Sequence, residues 1–208
     1  MEFTCERHGD NEMNESLERQ ETAIVKSRLD RILEKRAIQH KVILVLDTSG
    51  SMASQADSPG ERRIDALRGV VTMLRNQGIA PRQLVFNSDV MWSDVIPEPS
   101  GGTNLAGALK FCKQLNPEHV IVVSDGEPDD ISQGGAASIA AAKALNCKVD
   151  VFFVGPKDMT HAKEFMDRLA VGTGGSSQTV SFKELEQKIA GMLTAGDAAD
   201  EKKGSIAL

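Results

Sequence analysis

The chain has 208 residues, of which 40% are hydrophobic, 26% charged and only 4% aromatic, a length that suits one α/β domain with extensions and can bury a substantial core. A formal net charge of −6, with no clustered basic stripe, argues against nucleic acid and anionic membrane as partners. Cys5, Cys112 and Cys147 are odd in number and widely separated, which points to a reducing compartment rather than a disulfide framework. The amino terminus has neither a basic start nor an apolar stretch, and no run approaches the length of a membrane span, so the expected location is the cytoplasm.

Residues 1–14 are polar and without periodicity. Cys5 and His8 have the spacing of a metal pair but no second pair to complete a tetrahedral site. Residues 15–38 are expected to form an amphipathic helix, with Leu17, Ile24, Val25, Leu29, Ile32 and Leu33 on one side. Its apolar face either docks on the domain that follows or pairs with another protein or a second copy. Next, Val42 to Leu46 is an unbroken apolar run that ends in Asp47, the pattern of a strand buried on both faces. Thr48, Ser49 and Ser51 follow. The spacing by two of Asp47, Ser49 and Ser51 points all three to one side if the loop is extended. One carboxylate and two hydroxyls at a strand end suit a hard divalent cation, although an Asp-Thr-Ser-Gly stretch is also a common turn.

Ala53 to Glu61 reads as a loop with Asp57, Ser58, Pro59 and Gly60 as turn formers, and 64–77 as a helix with Ile64, Leu67, Val71 and Leu74 on one face, ended by Gly78. Residues 82–97 read as a hairpin about Asn87-Ser88-Asp89, with Trp92 expected in the core. Gly101 and Gly102 precede Thr103, which opens a helix over 105–115 and sits in a loop whose glycines let a ligand come close. His119 to Ser124 is a second apolar strand ending in a carboxylate, Asp125. Pro128 stops it, and Asp130 can cap the alanine-rich helix running to about Leu145. Asp129 and Asp130 are helix-start acids, or extra negative charge on a metal rim. A strand over 148–155, a helix over 160–170, a short strand over 178–182 and a helix over 183–193 complete the pattern. This alternation implies an α/β fold, a mostly parallel sheet with helices on both faces. In such sheets ligands lie beyond the carboxyl ends of the strands, where the strand order reverses, and Asp47 and Asp125 both occupy such ends. The last residues, 195–208, are expected to be disordered.

Asp47-x-Ser49-x-Ser51, followed by Thr103 and then by Asp125 after a later strand, resembles the metal-ion-dependent adhesion site (MIDAS) of the von Willebrand factor type A (VWA) domains. All five positions are filled in order. The resemblance implies a doubly wound, three-layer Rossmann-like domain over 40–194, with one antiparallel edge strand, behind an extension at 1–39. It also implies a mechanism. Ser49, Ser51 and Thr103 would be direct ligands of a divalent ion, and Asp47 and Asp125 would act through water or orient the hydroxyls. An Asp or Glu from a partner protein would complete the shell. Mg2+ is the expected ion for a reducing cytoplasm, with Ca2+ or Mn2+ as alternatives. Cytoplasmic relatives work beside MoxR-type AAA+ ATPases or other assembly machinery, so the resemblance suggests an adaptor, monomeric or weakly dimeric.

An enzyme is the rival reading. An Asp at the first strand end and Ser-Asp-Gly-Glu-Pro-Asp after a later one are similar to haloacid-dehalogenase phosphatases, which use the first Asp as a nucleophile beside magnesium. Their general acid lies two positions further on, where this chain has Ser49, which cannot supply that proton. No Gly-x-Ser-x-Gly turn marks a serine hydrolase. The residues therefore favour a non-catalytic, metal-dependent binding module. The second alternative is a self-associating protein, joined through 15–38, whose metal is purely structural.

Overall fold

The computed structural model describes residues 24–26, 41–56 and 58–194. The chain divides into two units, Met1–Ala37 and Ile38–Leu208. Of the first, residues 24–26 are helical, with Ile24 55% and Val25 65% exposed. The rest of the expected helix at 15–38, the Cys5/His8 pair and the tail at 195–208 lie outside the described residues.

The second unit is built on six strands: β1 Val42–Asp47, β2 Arg82–Phe86, β3 Val90–Trp92, β4 His119–Ser124, β5 Lys148–Phe153 and β6 Ser177–Thr179. Their order is β3-β2-β1-β4-β5-β6. Every neighbouring pair is parallel except β2 with β3, which form the antiparallel hairpin at one edge. The order runs outward in both directions from β1, so the reversal point lies between β1 and β4, and a crevice opens beyond their carboxyl ends.

Among the described residues, five α-helices cover the sheet: α1 Arg63–Asn76, α2 Leu105–Lys113, α3 Ala136–Lys143, α4 Thr160–Val171 and α5 Phe182–Thr194. The alternation of side chains along β1 divides the core. Val42, Leu44 and Leu46 pack with Leu67 of α1 and Leu185 and Ile189 of α5. Ile43 and Val45 face the other way, with Leu109 of α2, Ala142 of α3 and Phe165 of α4. Because both faces of β1 are covered, all six of its residues are buried, which explains the unbroken apolar run.

Three local expectations are corrected. Asn104, not Thr103, caps α2: its side chain accepts the Gly107 N–H at 2.9 Å. The last strand ends at Thr179 rather than Phe182, because Ser181 and Glu184 form a capping box that starts α5 at Phe182. Trp92 is not in the core. It is 37% exposed, packed on Phe111 with ring centroids 5.7 Å apart, and the Arg82 guanidinium lies 5.3 Å from its ring centre, because the three-residue edge strand β3 offers only a rim. Asp130 does serve α3, from outside the helix. Its carboxylate accepts the Ser138 N–H at 2.9 Å and the Ser138 hydroxyl at 2.6 Å.

Candidate functional site

At the reversal point the register sets Leu46 of β1 beside Val123 of β4, so Asp47 and Ser124 emerge side by side. The Ser124 hydroxyl donates to Asp47 Oδ2 at 2.6 Å, and the Ser49 N–H donates to Asp47 Oδ1 at 2.8 Å. Both oxygens of Asp47 are thus engaged by the protein. From Ser49 the backbone turns instead of remaining extended, because Gly50–Ala53 form a 3-10 turn. That turn, not strand-like alternation, brings the two hydroxyls together at 3.0 Å. Ser51 then donates to Asp125 Oδ1 at 2.6 Å.

A third segment closes the crevice. The Ser100 N–H bonds to the Thr48 carbonyl at 3.0 Å, and the Gly50 N–H to the Gly101 carbonyl at 3.1 Å. Thr103 is held by Asp129, whose Oδ1 accepts the Thr103 N–H at 2.8 Å while its own N–H donates to the Thr103 carbonyl at 3.1 Å. A Cβ on Gly102 would lie 2.8 Å from that carboxylate oxygen, so glycine leaves the room Asp129 needs. Asp47, Ser49, Ser51 and Asp125 are therefore joined by direct hydrogen bonds, and Thr103 is set alongside through its loop. Asp129, named above as a helix-start acid or rim charge, instead anchors that loop. Ser124 and Arg63 were not singled out from the sequence; neither lies in the five-residue pattern. Arg63, the first residue of α1, donates from Nη1 to Asp125 Oδ2 at 2.7 Å.

The electrostatics follow from burial. Asp47 is 0% exposed and Asp125 is 1% exposed. Burial pushes the Asp47 carboxyl up from its ordinary 3.8 to about 6; the bonds from Ser124 and Ser49 oppose the rise and the nearby Asp125 charge adds to it. Ser51 is the exposed member that opens the cluster to solvent. Among the described residues no three His, Cys, Asp or Glu side chains gather as a metal-binding group. The donor set is instead hydroxyl oxygens with two carboxylates, which fits a hard cation that keeps part of its hydration. No helix among the described residues is long and apolar enough to cross a membrane.

No family model and no curated protein sequence matches the chain. Among solved structures, the VWA domain of SpRpn10 aligns with a TM-score of 0.51 at 12% identity, over 68% of this chain and 87% of that one. An uncharacterized membrane spanning protein from Vibrio fischeri gives a TM-score of 0.30 at 17% identity, over 74% of this chain and 98% of its own. The RO (RSR) protein of Deinococcus radiodurans gives 0.35 at 16% identity, over 66% of this chain and 35% of its own. At such identities the likeness is one of fold, and the first of the three carries it: the sheet and its helices are VWA-like.

Proposed function

We propose that this chain is a divalent-metal-dependent protein-binding module, in which Ser49, Ser51 and Thr103 hold a magnesium ion and an Asp or Glu of a partner protein completes its shell. One observation carries the reading: the hydroxyls of Ser49 and Ser51 and the carboxylates of Asp47 and Asp125 converge through bonds of 2.6–3.0 Å at the reversal point of a VWA-like sheet. A bound ion supplies a positive centre for a hard anionic oxygen. Asp47, with both oxygens occupied, orients Ser49 and Ser124. Asp125 orients Ser51. His119, which bonds Asp150 at 2.7 Å, sits at the far end of β4. Asp125 lies six positions further along the chain, roughly 20 Å away, so His119 is no base for this site. The reading is of a binding module rather than an enzyme, and an adaptor to assembly machinery such as a MoxR-type ATPase is the class of partner that the sequence resemblance suggests.

Affinity capture on the immobilised chain in magnesium, then in chelator, tests the mechanism. Captured protein should elute on chelation and rebind when magnesium returns. Ser51→Ala should lose both ion and partner, whereas Thr103→Ala should lose the partner more than the ion. Equal capture in chelator would overturn the reading.

A further inference from the structure

Arg62 and Arg63 are adjacent at the start of α1 and do different things. Arg62 bonds Asp65 at 2.6 Å and Glu98 at 2.8 Å on the surface. Arg63 turns inward, its side chain 12% exposed against 0% for that of Asp125. Its own N–H bonds the Ser54 carbonyl at 2.9 Å, which ties it to the end of the 3-10 turn that carries Ser51. The helix gives no reason for a cation in its first turn, where the dipole favours negative charge. Asp125 does give one. With Ser51 on Oδ1 and Arg63 on Oδ2, that carboxylate already has a cationic partner. Beside Arg63 lies a cavity of about 530 Å3, lined also by Gln55, Ala56, Gly155, Lys157, Ser181 and Glu184, which leaves open space next to the guanidinium.

We propose that Arg63 couples the two ligands of the site: it competes with the divalent cation for Asp125 and, once the cation holds that carboxylate, offers its guanidinium to the incoming carboxylate of the partner. The proposal rests on the metal-binding function given above. Charge counting gives it a sign. Asp47 and Asp125 contribute −2 and Arg63 +1; a dication brings the total to +1, whereas without Arg63 the loaded site is neutral. Arg63 thus weakens the ion alone and strengthens the acidic ligand, and a guanidinium suits the second task because its fork matches a carboxylate.

The test uses the full chain, with Mn2+ followed by electron paramagnetic resonance and a capped Gly-Gly-Asp-Gly-Gly peptide as the acidic probe. Arg63→Gln should bind Mn2+ about tenfold more tightly or better, and the Mn2+-loaded variant should bind the peptide about tenfold more weakly, since one unit charge close to the ion is removed in each case. Arg63→Lys, which keeps the charge but not the fork, should bind Mn2+ as the wild type does and the peptide at an intermediate level. On the wild type, the Arg63 Nε–H resonance should move on saturation with Mg2+, a readout that depends on no variant folding. An unmoved resonance, or an Arg63→Gln affinity for Mn2+ no higher than wild type, overturns the coupling and leaves the metal function standing. Equal peptide binding by the wild type with and without Mn2+ overturns the metal-dependent binding proposed above, and the coupling with it. A wild-type chain that takes up no Mn2+ overturns the metal function, and the coupling with it.

Discussion

Asp47 sits where an ionised carboxylate is costly. It is wholly buried, and its carboxyl is pushed up to about 6. The folded state therefore holds the Asp47 proton more tightly than the unfolded chain does. Its favourable contribution is complete below pH 3.8 and is lost as pH rises to about 6. The shift of 6 − 3.8 pH units corresponds to on the order of 3 kcal/mol. Asn mimics the protonated acid and can still accept the Ser49 N–H while donating to the Ser124 oxygen. In chelator, Asp47→Asn should consequently be more stable than wild type by about 1–3 kcal/mol above pH 6, with the difference fading below pH 4. Urea titrations across that range measure it. An Asn variant less stable than wild type at pH 8 would show that burial does not dominate. Asp47→Ala is the harsher change, since it leaves the Ser49 N–H and the Ser124 hydroxyl without their acceptor.

At the scale of the element, the 101–103 loop is shaped from outside. It contains no regular structure, and Asp129, arriving from the segment after β4, holds both the N–H and the carbonyl of Thr103. Two different substitutions should then produce one phenotype. Asp129→Ala removes the anchor; Gly102→Ala places a methyl where the carboxylate sits. Each should abolish hydrogen-exchange protection at the Thr103 amide and weaken ion binding, with about 1 kcal/mol or less of global destabilisation. The double variant should be little worse than either single one, because both act on the same contact. Additive losses would mean that Gly102 is required for a reason of its own.

The whole molecule sets charge at both ends of one sheet. At the amino ends of β4 and β5, Asp150 accepts from His119, Lys148 and Ser176. Burial alone would raise its carboxyl, but these partners together hold it below the ordinary range. Burial also outweighs the Asp150 bond at His119 and keeps the imidazole down. Both groups therefore lend stability that is lost on acidification. At the carboxyl ends the two site carboxylates have one guanidinium between them, so a divalent ion that binds only the folded chain should raise its melting temperature. Saturation at about a hundred times the dissociation constant is worth about 2.7 kcal/mol. Thermal melts with and without magnesium check this. They should differ for wild type and coincide for Ser51→Ala.

Among the described residues, apolar patterning placed most strands and helices to within a few residues, because each buried run must match the repeat of its own element; α3 is the exception, starting at Ala136 rather than straight after Asp130. Of the five oxygen-bearing residues, Asp47 and Asp125 were marked by their place at the ends of apolar strands; the set as a whole came with the VWA resemblance. The edge position of β2–β3 came with the VWA resemblance, and the strand order agrees with it. What the sequence could not convey was the identity of each residue's neighbours. Trp92 is apolar enough for a core, yet its exposure depends on β3 being an edge. Asp129 and Asp130 are adjacent and chemically alike, yet one grips the Thr103 loop and the other holds Ser138 of α3. Arg62 and Arg63 differ only in which way the first turn of α1 faces. These outcomes depend on contacts between segments far apart in the chain, where no local pattern records which carboxylate a side chain will meet. Only the tertiary structure put Arg63 on Asp125.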